Sequence, residues 1–571
     1  MKPLPKLHAS LVEEAIKAAQ AAGDLPAFDL PAIPITPAKK PELGDYACPI
    51  AMALAKNVGR KPLEIAETIA KHMPQADFVG AVEVAPPGFI NFRMSEDWLR
   101  QQVNVIAERG EDLYVLDMGA GKRAQVEFLS ANPTGPITIG RSRGAILGDG
   151  TARVLEAAGY EVVREYYFNN AGVQMRNLGS SLRIRYLEAL GKDVEVPGPD
   201  DEKFYQGDYL IDFAKDLVAE QGDALVDADW QVFKSYGEKK MFEWIKSTMD
   251  RVDIHFDVFF NENDLYDSGK IWEVLDELGQ RGYIYESVVR ESESDEVKEL
   301  NKHLKPAKWF RSTREGDAED RVVVKSNGEP TYTLPDIAYH MNKIDRDFHL
   351  MVNILGADHQ TEARVVRYGL QAMGYDPSHL HVTHMQMVRA VRDGKEVKMS
   401  TRRGVYDTLD ELIDMTSPDA VRYFLLQRSP DSQLDFDLDL AVKESNENPV
   451  YYIQYAYVRC AGIFREAEAR GLTVEGADLS LLGEEELRFI KKCLELLEVI
   501  EMAATELAPH KVAYYALDLA NQFHPLYDRV RVFSDGVEAD VAKARLRFYE
   551  AARITFRRVL RLMGMSTPER M

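Results

Sequence analysis

Two short polar segments carry the residue types that handle a polyphosphate. Residues 130–141 read SANPTGPITIGR, between a strand-like run at Ala124 to Leu129 and a helical stretch; far along the chain, Lys398 to Gly404 read KMSTRRG. In the first, Pro133 and Pro136 stiffen the backbone, while Gly135 and Gly140 lack the Cβ that would hold a ligand at a distance. The helix that follows opens at Gly140, and the unpaired N–H groups and dipole of its first turn favour an anion there. In the second, Lys398, Ser400, Arg402 and Arg403 crowd a short loop after the strand-like Met385 to Val391 and the turn Asp393-Gly394. Each segment alone also has a plain reading, an ordinary strand-to-helix turn or a solvated run of charge. Taken together they read as two halves of one nucleotide site.

The elements that must position these halves follow from the apolar pattern. From Lys122 to about Gly404, strand-like and helix-like runs alternate: Gln125–Leu129, Arg143–Ala158, Glu161–Phe168, then Met351–Leu355 and His381–Val391. That predicts a parallel sheet with right-handed crossovers, open to a nucleotide at the strands' C-terminal ends. Roughly Arg183 to Thr313 is mainly helical in pattern, with acidic stretches such as Glu291–Glu299, and an insertion there explains the distance between the two segments. Residues 1–115 predict a small α/β unit, with helical patterns at Leu7–Ala22 and Pro49–His72 and an alternating, strand-like run at Val82–Phe92. Asp117–Gly121 is the expected linker. From about Val405 to residue 571 the pattern is helical throughout. The fold class expected is therefore α/β: a Rossmann-type parallel-sheet domain at 122–404 with a helical insertion at about 183–313, a small α/β N-terminal domain at 1–115, and an all-α C-terminal domain at 405–571.

Composition limits the function classes. A chain of 571 residues exceeds a single core, and its 45% hydrophobic and 29% charged content is that of a globular protein. No apolar run approaches the ~18 residues of a membrane span, and MKPLPKLHAS lacks a signal-peptide core, so no membrane partner and a cytoplasmic location are expected. Cys48, Cys460 and Cys493 are far apart, with no C-x-x-C pair; a buried apolar role is expected for all three, and no structural metal. The net charge of −23 opposes a nucleic-acid partner unless basic residues cluster locally. Lys543, Arg545, Arg547, Arg553, Arg557, Arg558 and Arg561 form such a cluster near the C-terminus, with Glu550 as the only acid among them.

SANPTGPxxIG followed by KMSTR resembles the two signatures of class I aminoacyl-tRNA synthetases, and the wording around them resembles the arginyl-tRNA synthetase family in particular. Further matches run along the chain: GDYACPIAMALAK (Gly44–Lys56), GFINF (Gly88–Phe92), PTYTLPDIAYH (Pro330–His340), GADHQ (Gly356–Gln360), SPDAVRYFLL (Ser417–Leu426) and the terminal PERM. The resemblance implies arginine–tRNA ligation, in which ATP activates L-arginine to an adenylate that passes to the terminal ribose of tRNA(Arg), with Mg²⁺ accompanying the nucleotide. It also implies that arginine is commonly activated only with tRNA bound. A monomer is expected. The alternative is an altered, non-catalytic paralogue that binds tRNA or arginine, because the family's usual His-Ile-Gly-His stands here as Thr138-Ile139-Gly140-Arg141.

By the same resemblance, Lys398 and Ser400 act on the departing pyrophosphate. Thr138 and Arg141 replace two imidazole donors by a hydroxyl and a permanent cation suited to phosphate. Thr134, Gly140, Asp358 and His359 join Lys398 in holding ATP, with Asp358 placed for the ribose. Ser130 and Asn132 hold the α-amino and carboxylate groups of arginine, while Tyr332 and Asp336 read its guanidinium. A plain alternative exists for Asp336, since Thr333-Leu334-Pro335-Asp336 also resembles a helix start with Thr333 as cap. Asn170 falls where relatives more often have aspartate. In the helical C-terminal domain, which the resemblance assigns to the anticodon, Gln454, Arg459 and the C-terminal arginines are contact candidates, and Tyr451, Tyr452, Tyr455 and Tyr457 are either core or base-stacking aromatics.

Overall fold

A computed structural model describes residues 1–198, 200–397 and 408–571. The N-terminal unit begins with α1 (Leu4–Ala21), whose Leu11, Val12, Ala15, Ile16 and Ala19 recur at helical spacing and are all buried. Strands β1 (Thr36–Pro37) and β2 (Tyr46–Cys48) follow. The stretch expected as one helix from Pro49 to His72 divides into α2 (Ile50–Val58) and α3 (Pro62–Lys71). Gly59 ends the first in a left-handed conformation, and Pro62, which lacks the N–H that a first turn leaves unused, starts the second. The alternating run then folds back as β3 (Val79–Ala85) and β4 (Phe89–Met94), giving an antiparallel sheet of order β1-β2-β4-β3 before α4 (Glu96–Arg109).

The middle of the chain builds a five-stranded parallel sheet. β5 (Arg123–Glu127) leads through α5 (Ile139–Ala157) to β6 (Glu161–Phe168), which pairs with it in parallel register. Helices α6 (Gly172–Ala189), α7 (Tyr209–Gln221) and α8 (Trp230–Arg251) form the helical first part of the inserted stretch. That stretch then contributes β7 (Val258–Asn261), an edge strand of the same sheet. The short apolar run FDVFFN, set among helices, gave no alternation from which to read a strand.

Beyond it lie α9 (Asn263–Asp267), α10 (Lys270–Gln280), β8 (Ile284–Ser287), α11 (Asp295–Asn301), β9 (Ala307–Phe310) and β10 (Arg321–Val324), with the three strands forming a small antiparallel sheet. The chain returns through α12 (Thr333–Asp345) to β11 (Leu350–Gly356), then α13 (Gln360–Ala372) and β12 (Leu380–Met385). The strand order is β12-β11-β5-β6-β7. It reverses at β5, so a crevice opens beyond the carboxyl ends of β5 and β11, where such sheets bind ligands. α5 lies tight against the sheet because Gly148 has no side chain; a Cβ there would stand 2.1 Å from Phe128 Cγ.

β13 (Val388–Arg392) leaves the sheet expected for His381–Val391. It pairs antiparallel with β14 (Lys395–Glu396) and parallel with β15 (Leu434–Asp437), the one strand that interrupts the helical remainder among its described residues. Around β15 come α14 (Leu409–Met415), α15 (Pro418–Leu426) and α16 (Leu438–Ala441), then the long α17 (Pro449–Ala469), α18 (Glu484–Leu494), α19 (Leu496–Thr505), α20 (His510–Arg529) and α21 (Ala539–Leu562). α21 packs on α4 and on the turn that follows it, Gly110–Tyr114, where Tyr114 Oη and Thr555 Oγ1 are bonded at 2.7 Å in the core. Cys48, Cys460 and Cys493 are free thiols buried in the core. No helix among the described residues is long and apolar enough to cross a membrane.

Candidate active site

Above the carboxyl ends of β5, β6, β11 and β12 lies a cavity of about 610 Å³. Its floor is set by backbone strain. Leu129 and Ser130, directly after β5, hold φ of 67° and 43°, left-handed values that cost a non-glycine residue on the order of 1–3 kcal/mol. The kink turns Ser130 back so that its hydroxyl donates to Glu127 Oε1 at 3.1 Å and accepts from the Tyr167 N–H at 3.2 Å. Asn132 accepts from the Asn169 N–H at 2.9 Å and donates to Gln174 Oε1 at 2.9 Å. Ser130 and Asn132 thus tie the end of β5 to the end of β6 while lining the cavity.

Carboxylates dominate the walls. Glu127, Glu262, Asp336 and Glu362 all face the space. Glu127 is neutralised by the buried Lys343 at 2.5 Å, and Lys343 also donates to Asn353 Oδ1. Glu262 accepts from Tyr167 Oη at 2.7 Å and Asn169 Nδ2 at 2.8 Å; burial pushes its carboxyl above the ordinary range despite these bonds. Asp336, on the first turn of α12, has neither a hydrogen bond to its carboxylate nor an ion pair among the described residues. Burial, then Glu262, Glu127 and Glu362, push it up to about 8, against the weaker pull of Lys343. An acidic wall of this kind can pair with a cation.

Asp336 is not a cap. α12 starts at Thr333 with Tyr332 as the flanking residue, and no side chain caps its N-terminus. What holds the turn instead is His340, whose Nδ1 lies 2.8 Å from the Asp336 carbonyl and whose Nε2 lies 2.8 Å from Asn353 Nδ2. Burial and Lys343 lower His340 to about 3, so the ring is neutral, with Nδ1 the donor and Nε2 the acceptor. Tyr332 stands 79% exposed at the rim.

The expected residues fall in two groups. Ser130, Asn132, Tyr332, Asp336 and His359 line the cavity; Thr134, Thr138, Gly140, Arg141 and Asp358 do not. Thr138 is the N-cap residue of α5, but its hydroxyl caps nothing and bonds to none of the described residues. Arg141 is exposed, with its guanidinium likewise unpaired. A Cβ on Gly140 would meet nothing nearer than Thr138 Oγ1 at 4.0 Å. A hydroxyl, an open glycine and a cation therefore stand unspent at the positive end of a 19-residue helix. The Thr134 carbonyl accepts from Tyr209 Oη at 2.7 Å. Asp358 is turned outward, its side chain 82% exposed and 3.8 Å from His359. Lys398 and Ser400 lie outside the described residues, as do Arg402 and Arg403.

Other residues depart from expectation. Asn170 faces away from the cavity, donating to Glu238 at 2.8 Å and accepting from Asn261 at 3.0 Å. Gln454 is 5% exposed, and its amide nitrogen donates to Asp419 at 2.7 Å and to Ser566 at 3.2 Å. The C-terminal arginines are largely spent inside the protein too: Arg545 on Glu486, Arg547 on Glu550, Arg553 on Glu569, Arg557 and Arg561 on Glu111. Their acids come mostly from other elements, which a scan of one helix does not reveal. Tyr457 is buried and bonded to Glu569. Arg459 lies between the rings of Tyr455 and Tyr527 at 4.7 and 4.6 Å, and Tyr451 stacks on Tyr455. Among the cavity residues that sequence reasoning missed are Glu127, Tyr167, Asn169, Glu262, His340 and Glu362; for Tyr167 and Asn169 the YYFNN end of β6 was the available signal.

The chain matches known proteins along nearly its whole length. Residues 7–94 match the model of the arginyl-tRNA synthetase N-terminal domain, 104–437 the class I (R) tRNA synthetase catalytic domain, and 453–571 the DALR anticodon binding domain. The arginine–tRNA ligase of Carboxydothermus hydrogenoformans is 43% identical over 97% of both chains, and that of Geobacillus thermodenitrificans 40% identical over 100% of both. Among solved structures, Thermus thermophilus arginyl-tRNA synthetase aligns with a TM-score of 0.74 over 100% of both chains; at 20% identity that likeness is one of fold. Matched along its length by these models and relatives, the chain belongs to the arginyl-tRNA synthetase family of class I.

Proposed function

We propose that this chain ligates arginine to tRNA, using ATP, with the cavity at Asp336 as its arginine site. The observation that carries this is the unpaired Asp336 carboxylate, set beside Glu262 in a space otherwise short of positive charge. A guanidinium supplies that charge and, being planar, meets a carboxylate through two parallel bonds. Tyr332 closes the rim, and Ser130 and Asn132 face the α-amino and carboxylate end. A ligand so oriented directs its carboxylate toward the N-terminal turn of α5.

There Thr134, Thr138, Gly140 and Arg141 hold the triphosphate, Asp358 and His359 the nucleoside, and Lys398 and Ser400 bring further positive charge and a hydrogen bond. The arginine carboxylate attacks the α-phosphorus in line, forming a mixed anhydride as the bond to pyrophosphate breaks. No protein nucleophile is required; the protein contributes position and charge stabilisation on the leaving phosphates. A hydroxyl of the terminal ribose of tRNA(Arg) then attacks the carbonyl carbon, and AMP leaves. Mg²⁺ accompanying the nucleotide would add positive charge at the phosphates; among the described residues no cluster of three or more acidic, histidine or cysteine side chains is grouped to hold it. Arg459, in its aromatic cradle, and the half-buried Tyr451 and Tyr455 are the proposed anticodon contacts of the helical region. We also propose that one chain suffices for the reaction, as a monomer, and that the division at about 115 and 405 marks its functional units.

Arginine-dependent exchange of labelled pyrophosphate into ATP tests this reading. Exchange is expected with arginine and is expected to rise when tRNA(Arg) is present. Absence of exchange under both conditions would overturn it.

A further inference from the structure

Arg143 is fully buried, one helical turn inside the N-terminus of α5, and it pairs with no carboxylate among the described residues. Its guanidinium donates instead to three backbone carbonyls at 2.8 Å each: Gln386, in the short connection between β12 and β13, and Ser429 and Ser432, in the connection from α15 to β15. A planar guanidinium with several donors in fixed directions can hold two loops at once, which an ammonium on a flexible stem cannot. The two loops lead into β13 and β15, the parallel pair beside α5.

A second attachment joins the same helix end to the same region from the other side. Thr138 forms an isolated β-bridge with Thr408, and the Leu409 N–H donates to the Ile137 carbonyl at 2.8 Å. Thr408 is itself fixed at the start of α14: its hydroxyl accepts from the Glu411 N–H, and the Glu411 carboxylate accepts from the Thr408 N–H. The described backbone on both sides of residues 398–407 is thus referenced to one place, the first two turns of α5. These are the turns that present Thr138, Gly140 and Arg141.

We infer that Arg143 is a positioning residue for the nucleotide: by clamping the Gln386 and Ser429–Ser432 carbonyls it sets the N-terminal turn of α5 at a fixed separation from the β13–β15 pair. It touches neither substrate. Its effect is exerted through Gly140 and Arg141, so it acts on ATP; the arginine cavity shares β12 with the clamp, but its Ser130, Glu262 and Asp336 stand on segments that Arg143 does not touch. This inference rests on the nucleotide reading of the α5 terminus.

The test uses the full-length protein and two variants, Arg143→Lys and Arg143→Gln, with tRNA(Arg) present. At equal folded fraction, both are expected to keep the arginine Kd within about twofold of the parent, while KM for ATP rises severalfold and kcat for pyrophosphate exchange falls at least tenfold. Lys, which keeps a charge and part of the bonding, should fall between the parent and Gln. If Arg143→Gln does not fold, Arg143→Lys alone carries the comparison. A lower melting temperature with unchanged KM for ATP and unchanged kcat per folded molecule would overturn the inference, leaving Arg143 a stability residue. Loss of arginine binding in step with ATP would overturn it equally. An inactive parent protein would instead count against the functional reading itself.

Discussion

Asp336 sits among like charges that outweigh the pull of Lys343, with no ion pair among the described residues, and this gives the site a pH signature. Its carboxyl is raised to about 8, so at neutral pH the empty pocket holds a proton that a guanidinium must displace. Arginine affinity should therefore rise about tenfold per pH unit between pH 6 and 8, and flatten above pH 8, with one proton released per arginine bound in the lower range. Calorimetry in buffers of different ionisation enthalpy checks this; a flat profile from pH 6 to 9 would contradict it. Because the folded pKa lies above the unfolded value, the carboxyl costs stability increasingly as pH rises from the unfolded value to about 8. Asp336→Asn should then lower arginine affinity at least a hundredfold, about 3 kcal/mol. Its melting temperature at pH 8.5 should equal or exceed that of the parent. Asp336 and Tyr332 were legible because they fall in one short motif. Glu262 was not, since its place depends on a strand hidden in a helical stretch, and carboxylate neighbours brought together by a sheet leave no local pattern.

At the scale of elements, the nucleotide end depends on how closely α5 approaches the sheet. Gly148 makes that approach possible: an added Cβ would fall 2.1 Å from Phe128 Cγ and 2.3 Å from its Cβ, atoms too near the backbone to swing aside. Gly148→Ala must lift α5 from β5, at a cost of about 3 kcal/mol. The same displacement carries Gly140 and Arg141 with it. The expected outcome is a lower thermal midpoint together with a raised KM for ATP, measured on the fraction that remains folded; an unchanged midpoint would show that β5 yields instead. The β5–α5–β6 unit was readable from its apolar runs, since each is long and flanked by turn residues. The β13–β15 pair was not, because β13 follows β12 after only two residues and its partner lies in a stretch of otherwise helical pattern. Tertiary pairing across such a distance is decided by packing against α5 rather than by local preference.

Across the whole molecule, buried charge connects the parallel sheet to the helical remainder. Asp149 of α5 is 1% exposed and accepts from Arg153 at 2.6 Å, from Arg164 of β6 at 3.2 Å, and from Arg422 of α15. Arg422, equally buried, also donates to the carbonyl of Val252 and, at 2.6 Å, to that of Met563 beyond α21. A single carboxylate therefore serves three guanidinium groups, and the two possible deletions are unequal. Arg422→Met leaves Asp149 with two cations and strands two carbonyls, a loss of about 3 kcal/mol. Asp149→Asn leaves the buried Arg422 with no carboxylate, while the part-buried Arg153 and Arg164 keep Asp253 and Glu156; breaking a buried pair from that side costs about 3–5 kcal/mol. Urea midpoints followed by tryptophan fluorescence should thus fall further for Asp149→Asn than for Arg422→Met; the reverse order would make the Val252 and Met563 carbonyl bonds the dominant connection. Acid gives an independent check. Burial opposes ionisation of Asp149, but Arg422, Arg153 and Arg164 overcome it and hold the carboxyl at about 2. A depressed pKa contributes stability that is complete above the unfolded value of about 4 and is lost as pH falls through 2. The midpoint gap between Asp149→Asn and the parent should accordingly be constant from pH 5 to 8 and narrow only below about pH 4, because the parent alone has that contribution to lose.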